Sequence, residues 1–227
     1  MPYLIIILVL LAAILGPSLW VNRIMNRYSK PADRYPNSGG EVARRLLDEL
    51  GLQDVGVEIT EKGDHYDPRE RMVRLSSQNF QGHSLTAITI AAHEVGHAVQ
   101  HASGYMPLIW RTRLVRLVGP VEKTGAALLM ATPLIIGITR APIAGLLMMS
   151  GGLLTLGSGV VMHLLTLPTE FDASFGRAMP LLKKQNILAV PDEPHARRLL
   201  RAAALTYVSA SLMSLLNVAR WWAILRR

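Results

Sequence analysis

Apolar and polar positions alternate along this chain in long blocks, and the blocks predict its elements. Residues Tyr3 to Val21 carry no charge and come close to the roughly 20 residues that a membrane-spanning helix needs. From Gly119 to Pro168 the only charged residues are Glu122, Lys123 and Arg140, and Arg140 with Pro142 divides the stretch into two apolar runs, the pattern of a helical hairpin. A last run, Ala202 to Ala219, is uncharged but holds Thr206, Ser209, Ser211, Ser214 and Asn217, so it either spans or packs against other helices. The pattern predicts an integral membrane, mainly α-helical protein with about four transmembrane helices. It divides into an anchor over 1–21, a catalytic segment over 22–117, a transmembrane hairpin over 118–167, a polar segment over 168–201 and a C-terminal hydrophobic helix over 202–227.

The polar segments have patterns of their own. Ser29 to Gly40 is rich in turn formers and reads as a linker. Ser38 to Leu50, with Val42, Leu46, Leu47 and Leu50 apolar, predicts a short amphipathic helix stopped by Gly51. Val55–Thr60 and Met72–Leu75 read as the two strands of a β-hairpin joined by a polar loop. Ser84 to Gly104 predicts a helix capped by Ser84 and ended by Gly104.

Composition and charge refine this picture. Of 227 residues, 50% are hydrophobic and 18% charged, proportions of a membrane protein more than of a soluble one. The net charge of +8 is spread between the apolar runs without a stripe of interleaved aromatics, which argues against a nucleic-acid partner and for charge flanking a membrane. Lys and Arg are concentrated in the two long polar segments, so both are expected on the cytoplasmic side of a multi-pass cell-membrane protein. With no cysteine, disulfides, thiolate ligands and a cysteine nucleophile are excluded, and any metal must be held by His and carboxylate.

The chemistry lies in His93-Glu94-Val95-Gly96-His97 on the helix from Ser84. Two histidines four residues apart share one face and can bind one zinc ion, one per chain, and the intervening Glu94 is placed to act as general base on a metal-bound water. A glycine at 96 lets a neighbouring element approach closely. A third ligand has to come from elsewhere. The sources are His101 on the same helix, Glu122 at the start of the hairpin, and Glu170 or Asp172 where the chain returns from it. His101 falls short of the longer spacing of a third histidine and reads as a surface residue or one that orients a ligand, and Asp172 is a second candidate for orienting a histidine.

Several stretches carry a resemblance: Asp64-His-Tyr-Asp-Pro68 with Val73-Arg-Leu-Ser76, Ala91 to Gln100, Pro168-Thr-Glu-Phe-Asp-Ala-Ser174, and Ala202-Ala-Ala-Leu-Thr-Tyr207. The segment after the hairpin looks like the third-ligand motif of HtpX-type and CAAX-prenyl-protease-type membrane metallopeptidases, and the chain as a whole resembles the YugP-like neutral zinc metallopeptidases. The resemblance implies a zincin-like core, with a small β-sheet, in which His93, His97 and Glu170 hold Zn2+ and Glu94 is catalytic. One position departs from the HtpX-type pattern, where an Asp four residues beyond the ligand glutamate is replaced here by Ser174.

The expected activity is a zinc metalloendopeptidase hydrolysing membrane or membrane-proximal proteins. Its expected partners are a protein or peptide substrate and membrane lipid, with room for a homo-oligomer or a regulatory membrane partner. Cleavage inside the bilayer fits less well, because Leu85 to Ala92 is only eight residues and cannot span. The alternative from another class is a non-catalytic membrane scaffold or metal-binding protein that retains the motif.

Overall fold

The computed structural model describes residues 2–206, 208 and 209. The chain forms two compact units. One comprises Met1–Ser18, Trp110–Leu167 and Tyr207–Arg227, and the other comprises Leu19–Ile109 and Pro168–Thr206.

The second unit is built around α4 (Leu85–Ala102). Ser84 caps this helix through its hydroxyl, which accepts from Ala87 N, and Gly104 beyond its end adopts φ +63°, the left-handed conformation that stops a helix. Almost every residue of α4 is buried, including its polar ones, so the helix is the core element and not an amphipathic surface element. Helix α2 (Gly39–Glu49) packs Val42, Leu46 and Leu47 into the same core. Its start is a reciprocal cap in which Ser38 Oγ accepts from Glu41 N and Glu41 Oε2 accepts from Ser38 N. The end of α1 (Pro2–Tyr28) is tied to α4 by Thr86 Oγ1, which donates to Met25 O at 2.9 Å.

Three short strands form the sheet: β1 (Gly56–Ile59), β2 (His65–Asp67) and β3 (Met72–Leu75), in the order β1-β3-β2. The two strands read from the sequence do pair, but in parallel, with Val57 opposite Val73, so they are not a hairpin. The antiparallel partner of β3 is β2, which comes from the segment read as a polar loop. Asp64 and Asp67 explain how that segment is held. Asp64 accepts from Ser76 N, Ser76 Oγ and Asn79 Nδ2, while Asp67 accepts from the backbone of Arg69 and Glu70 and from the Arg74 guanidinium. Side-chain caps of this kind close a turn that hydrophobic periodicity does not announce. After β3 come α3 (Ser77–Gln81) and α4.

The other unit contains most of α5 (Met106–Thr139) and α6 (Pro142–Phe171), which break at Arg140 with φ +52°. The two helices approach closely where glycine leaves room: a side chain at Gly152 would meet Leu129, and one at Gly125 would meet Thr155.

The expectation of about four transmembrane helices is corrected. Among the described residues one helix, α5, is long and apolar enough to cross a membrane. The expectation counts each uncharged run as a span, whereas only α5 combines sufficient length and mean hydropathy among the described residues. The C-terminal run lies outside the described residues from 210 onward, as does Tyr207.

Beyond α6 the backbone widens into a π-helix, Asp172–Ala178, and continues as α7 (Met179–Lys184), a 3₁₀ turn (Val190–Asp192) and α8 (Glu193–Ala204). Helix α8 packs Ala196, Leu199 and Leu200 into the core around α4.

Candidate metal centre

His93 and His97 lie one turn apart on α4, their rings edge to face with centroids 4.8 Å apart. Opposite them, Glu170 comes from the last turn of α6, just ahead of the π-helix. Its Oε2 lies 3.3 Å from His93 Nε2 and 3.4 Å from His97 Nε2. All three residues are buried, and one ligand atom from each lies within 4.8 Å of the others.

The approach of the two elements depends on Gly96. A Cβ there would stand 2.6 Å from Ala173 O, so any larger residue would push the π-helix away from α4. A π-turn is a common device at functional sites because it shifts the phase of the side chains that follow it. Here it follows Glu170 and carries Asp172 and Ser174, both of which point back toward α4.

The hydrogen bonds behind the rings settle their tautomers. Ser174 Oγ donates its proton to Leu200 O at 3.1 Å, so at His93 Nδ1, 3.0 Å away, it accepts from the ring N–H. His97 Nδ1 lies 2.9 Å from Gln100 Oε1, while Gln100 Nε2 donates to Thr169 O and to Asp172 Oδ2, each at 2.8 Å. Carbonyl and carboxylate only accept, which orients the amide and leaves its oxygen for the ring N–H. Both imidazoles therefore carry their hydrogen on Nδ1 and turn the Nε2 lone pair toward Glu170.

Three lone-pair atoms, two nitrogens and one carboxylate oxygen, thus converge in a buried space. That is the donor set of a divalent cation with borderline-soft character, and it suits zinc. Donor atoms around a tetrahedral zinc at about 2.0–2.1 Å stand roughly 3.3 Å apart, which matches the two separations to Glu170. A zinc held by these three residues would keep a fourth position for another ligand.

Of the remaining residues singled out in the sequence, Glu94 is buried on α4 beside His93. His101 is turned to Tyr66, whose hydroxyl lies 2.8 Å from its Nδ1, and takes no part in the His93–His97–Glu170 group. Burial, reinforced by Arg71, pushes the His101 pKa below its ordinary value, and burial pushes the Tyr66 hydroxyl up to about 12. Asp172 reaches His97 only through Gln100. Sequence reasoning missed Gln100 and the contact of Ser174. The available signals were the position of Gln100 three residues after His97, on the same helix face, and the place of Ser174 four residues after Glu170.

Residues 3–226 match the model of the family described as "Putative neutral zinc metallopeptidase", and the chain belongs to that family. It is also 38% identical over 215 residues to the "Putative membrane protease YugP" of Bacillus subtilis (strain 168), an alignment covering 92% of each chain. No solved structure matches it significantly.

Proposed function

We propose that this chain is a membrane-associated zinc endopeptidase in which His93, His97 and Glu170 hold the metal and Glu94 handles the proton. The observation that carries the reading is the buried convergence of the two Nε2 lone pairs on Glu170 Oε2. Membership of a neutral zinc metallopeptidase family supports the same chemistry. Association with a membrane is supported by the apolar helix α5 and by the name of the Bacillus relative. The Lys and Arg content of the polar segments favours a site on the cytoplasmic side, acting on membrane or membrane-proximal proteins.

Zinc held by these ligands supplies a Lewis acid that polarises a peptide carbonyl and makes water nucleophilic near neutral pH. The chain's own residues do the rest. Glu94, next to His93 on the same helix, takes a proton from the attacking water and returns it to the leaving amine. Ser174 and Gln100 hold the two rings in the tautomer that binds metal. Burial of the ligand cluster in low dielectric strengthens each of these interactions.

The scaffold reading predicts a bound metal without hydrolysis, and Glu94→Gln separates the two. In detergent-purified protein the endopeptidase reading expects Glu94→Gln to keep its zinc while casein hydrolysis falls by about 10²- to 10⁴-fold. Zinc without hydrolysis in the wild type, unchanged in Glu94→Gln, would favour the scaffold.

A further inference from the structure

Gln100 is fully buried on α4, and every polar atom of its amide is engaged. Its oxygen accepts from His97, and its two N–H groups go to different places on the opposite strand of chain. One meets the carbonyl of Thr169, the residue before Glu170, and the other meets the carboxylate of Asp172. Asp172 in turn lies 3.3 Å from Arg177 Nε and is partly open to solvent. The other histidine, His93, rests on a neutral hydroxyl.

On the metal-centre reading given above, we propose that Gln100 is a positioning residue that couples the charge of Asp172 to His97 and fixes the separation of His97 from Glu170. Two physical effects follow from the contacts. The Asp172 carboxylate polarises the amide, makes Gln100 Oε1 a stronger acceptor for the His97 Nδ1–H, and so raises the basicity of the Nε2 that faces the metal. The bond to Thr169 O anchors the backbone beside the third ligand to the helix that carries the second. A glutamate at 100 cannot do this, because it would set a carboxylate against a carbonyl and a second carboxylate.

The test uses the full chain in detergent with three variants: Gln100→Leu, of similar volume and without the relay; Asp172→Asn, which keeps an acceptor and removes the charge; and the double variant. Two readouts are independent of turnover: zinc affinity, by competition with a chromophoric chelator, and the visible absorption of the cobalt-substituted protein, which reports ligand geometry. Gln100→Leu is expected to weaken zinc binding by about 10- to 100-fold and to change the cobalt spectrum. Asp172→Asn is expected to weaken it by a smaller factor, and to have no further effect once Gln100 is Leu. Should Gln100→Leu fail to fold, Gln100→Met, which also lacks the relay, takes its place in the same comparison with Asp172→Asn, with the same outcomes. Wild-type affinity and spectrum in a folded Gln100→Leu would overturn the proposal, as would an effect of Asp172→Asn that is equal with and without Gln100. A wild-type chain that binds no zinc would refute the metal centre itself and the relay with it, a result distinct from a wild type and a Gln100→Leu variant that bind zinc equally well.

Discussion

Ser174 Oγ lies 3.0 Å from His93 Nδ1 and donates to Leu200 O, so this hydroxyl holds the His93 ring from the position where the HtpX-type pattern has an aspartate. Asp172, the other residue expected to orient a histidine, leads to His97 by way of Gln100.

Removing the hydroxyl leaves the His93 N–H and the Leu200 carbonyl without this buried partner. Ser174→Ala is therefore expected to raise the zinc dissociation constant by about 10- to 100-fold, the usual cost of deleting the group that orients a metal-binding histidine. Equilibrium competition with a chelator measures this. An unchanged constant would mean that His93 is oriented by packing alone.

Gly96 sets how closely the two ligand-bearing elements approach. A methyl group there meets Ala173 O at 2.6 Å, and the atom it meets is backbone, which cannot rotate away. Gly96→Ala is expected to destabilise the fold by roughly 1–3 kcal/mol, as overpacking does, and to weaken zinc binding by moving Glu170 away from the histidines. Thermal unfolding of metal-free and zinc-loaded protein separates the two effects. An unfolding midpoint equal to wild type in both would contradict the close contact.

Away from the site, Asp192 is buried against the linker, accepting from Arg34 Nε at 2.7 Å and from the Tyr35 hydroxyl at 2.5 Å. Burial raises its pKa, but the bonds from Arg34 and Tyr35 and the nearby His195 outweigh this and hold it below its ordinary value of 3.8. A depressed carboxylate pKa contributes stability that is fully present above the unfolded value and is lost as pH falls through the folded one. Asp192→Ala should therefore destabilise the protein at neutral pH by about 3 kcal/mol, the lower end for a broken buried pair because Arg34 is partly exposed. The difference from wild type should shrink below about pH 4. Denaturant titrations at pH 7 and pH 3 check it; a gap that does not narrow in acid would contradict the assignment.

The parts of this fold that the sequence made legible are those governed by local rules. The cap Ser84, the stops Gly51 and Gly104, and the break at Arg140 are each short-range, and each appears where the residues put it. The pairing of the His93–His97 motif was readable for the same reason, since i,i+4 spacing on a helix needs no tertiary information. The sheet was not, because β2 is only three residues long and is held by the Asp64 and Asp67 side chains and not by an apolar pattern. The number of spanning helices was read from uncharged length alone, and only α5 among the described residues is both long and apolar enough. Gln100 and Ser174 acquire their roles only when the π-helix folds against α4, across about 70 to 80 positions of sequence.

The central claim is that Glu170 closes a three-ligand zinc site with His93 and His97. Elemental analysis of detergent-purified wild type beside His93→Ala, Glu170→Ala and Glu94→Gln tests it most directly. A site closed by Glu170 gives one zinc per chain in the wild type and in Glu94→Gln, and little or none in the other two. Full zinc retention in Glu170→Ala would contradict it.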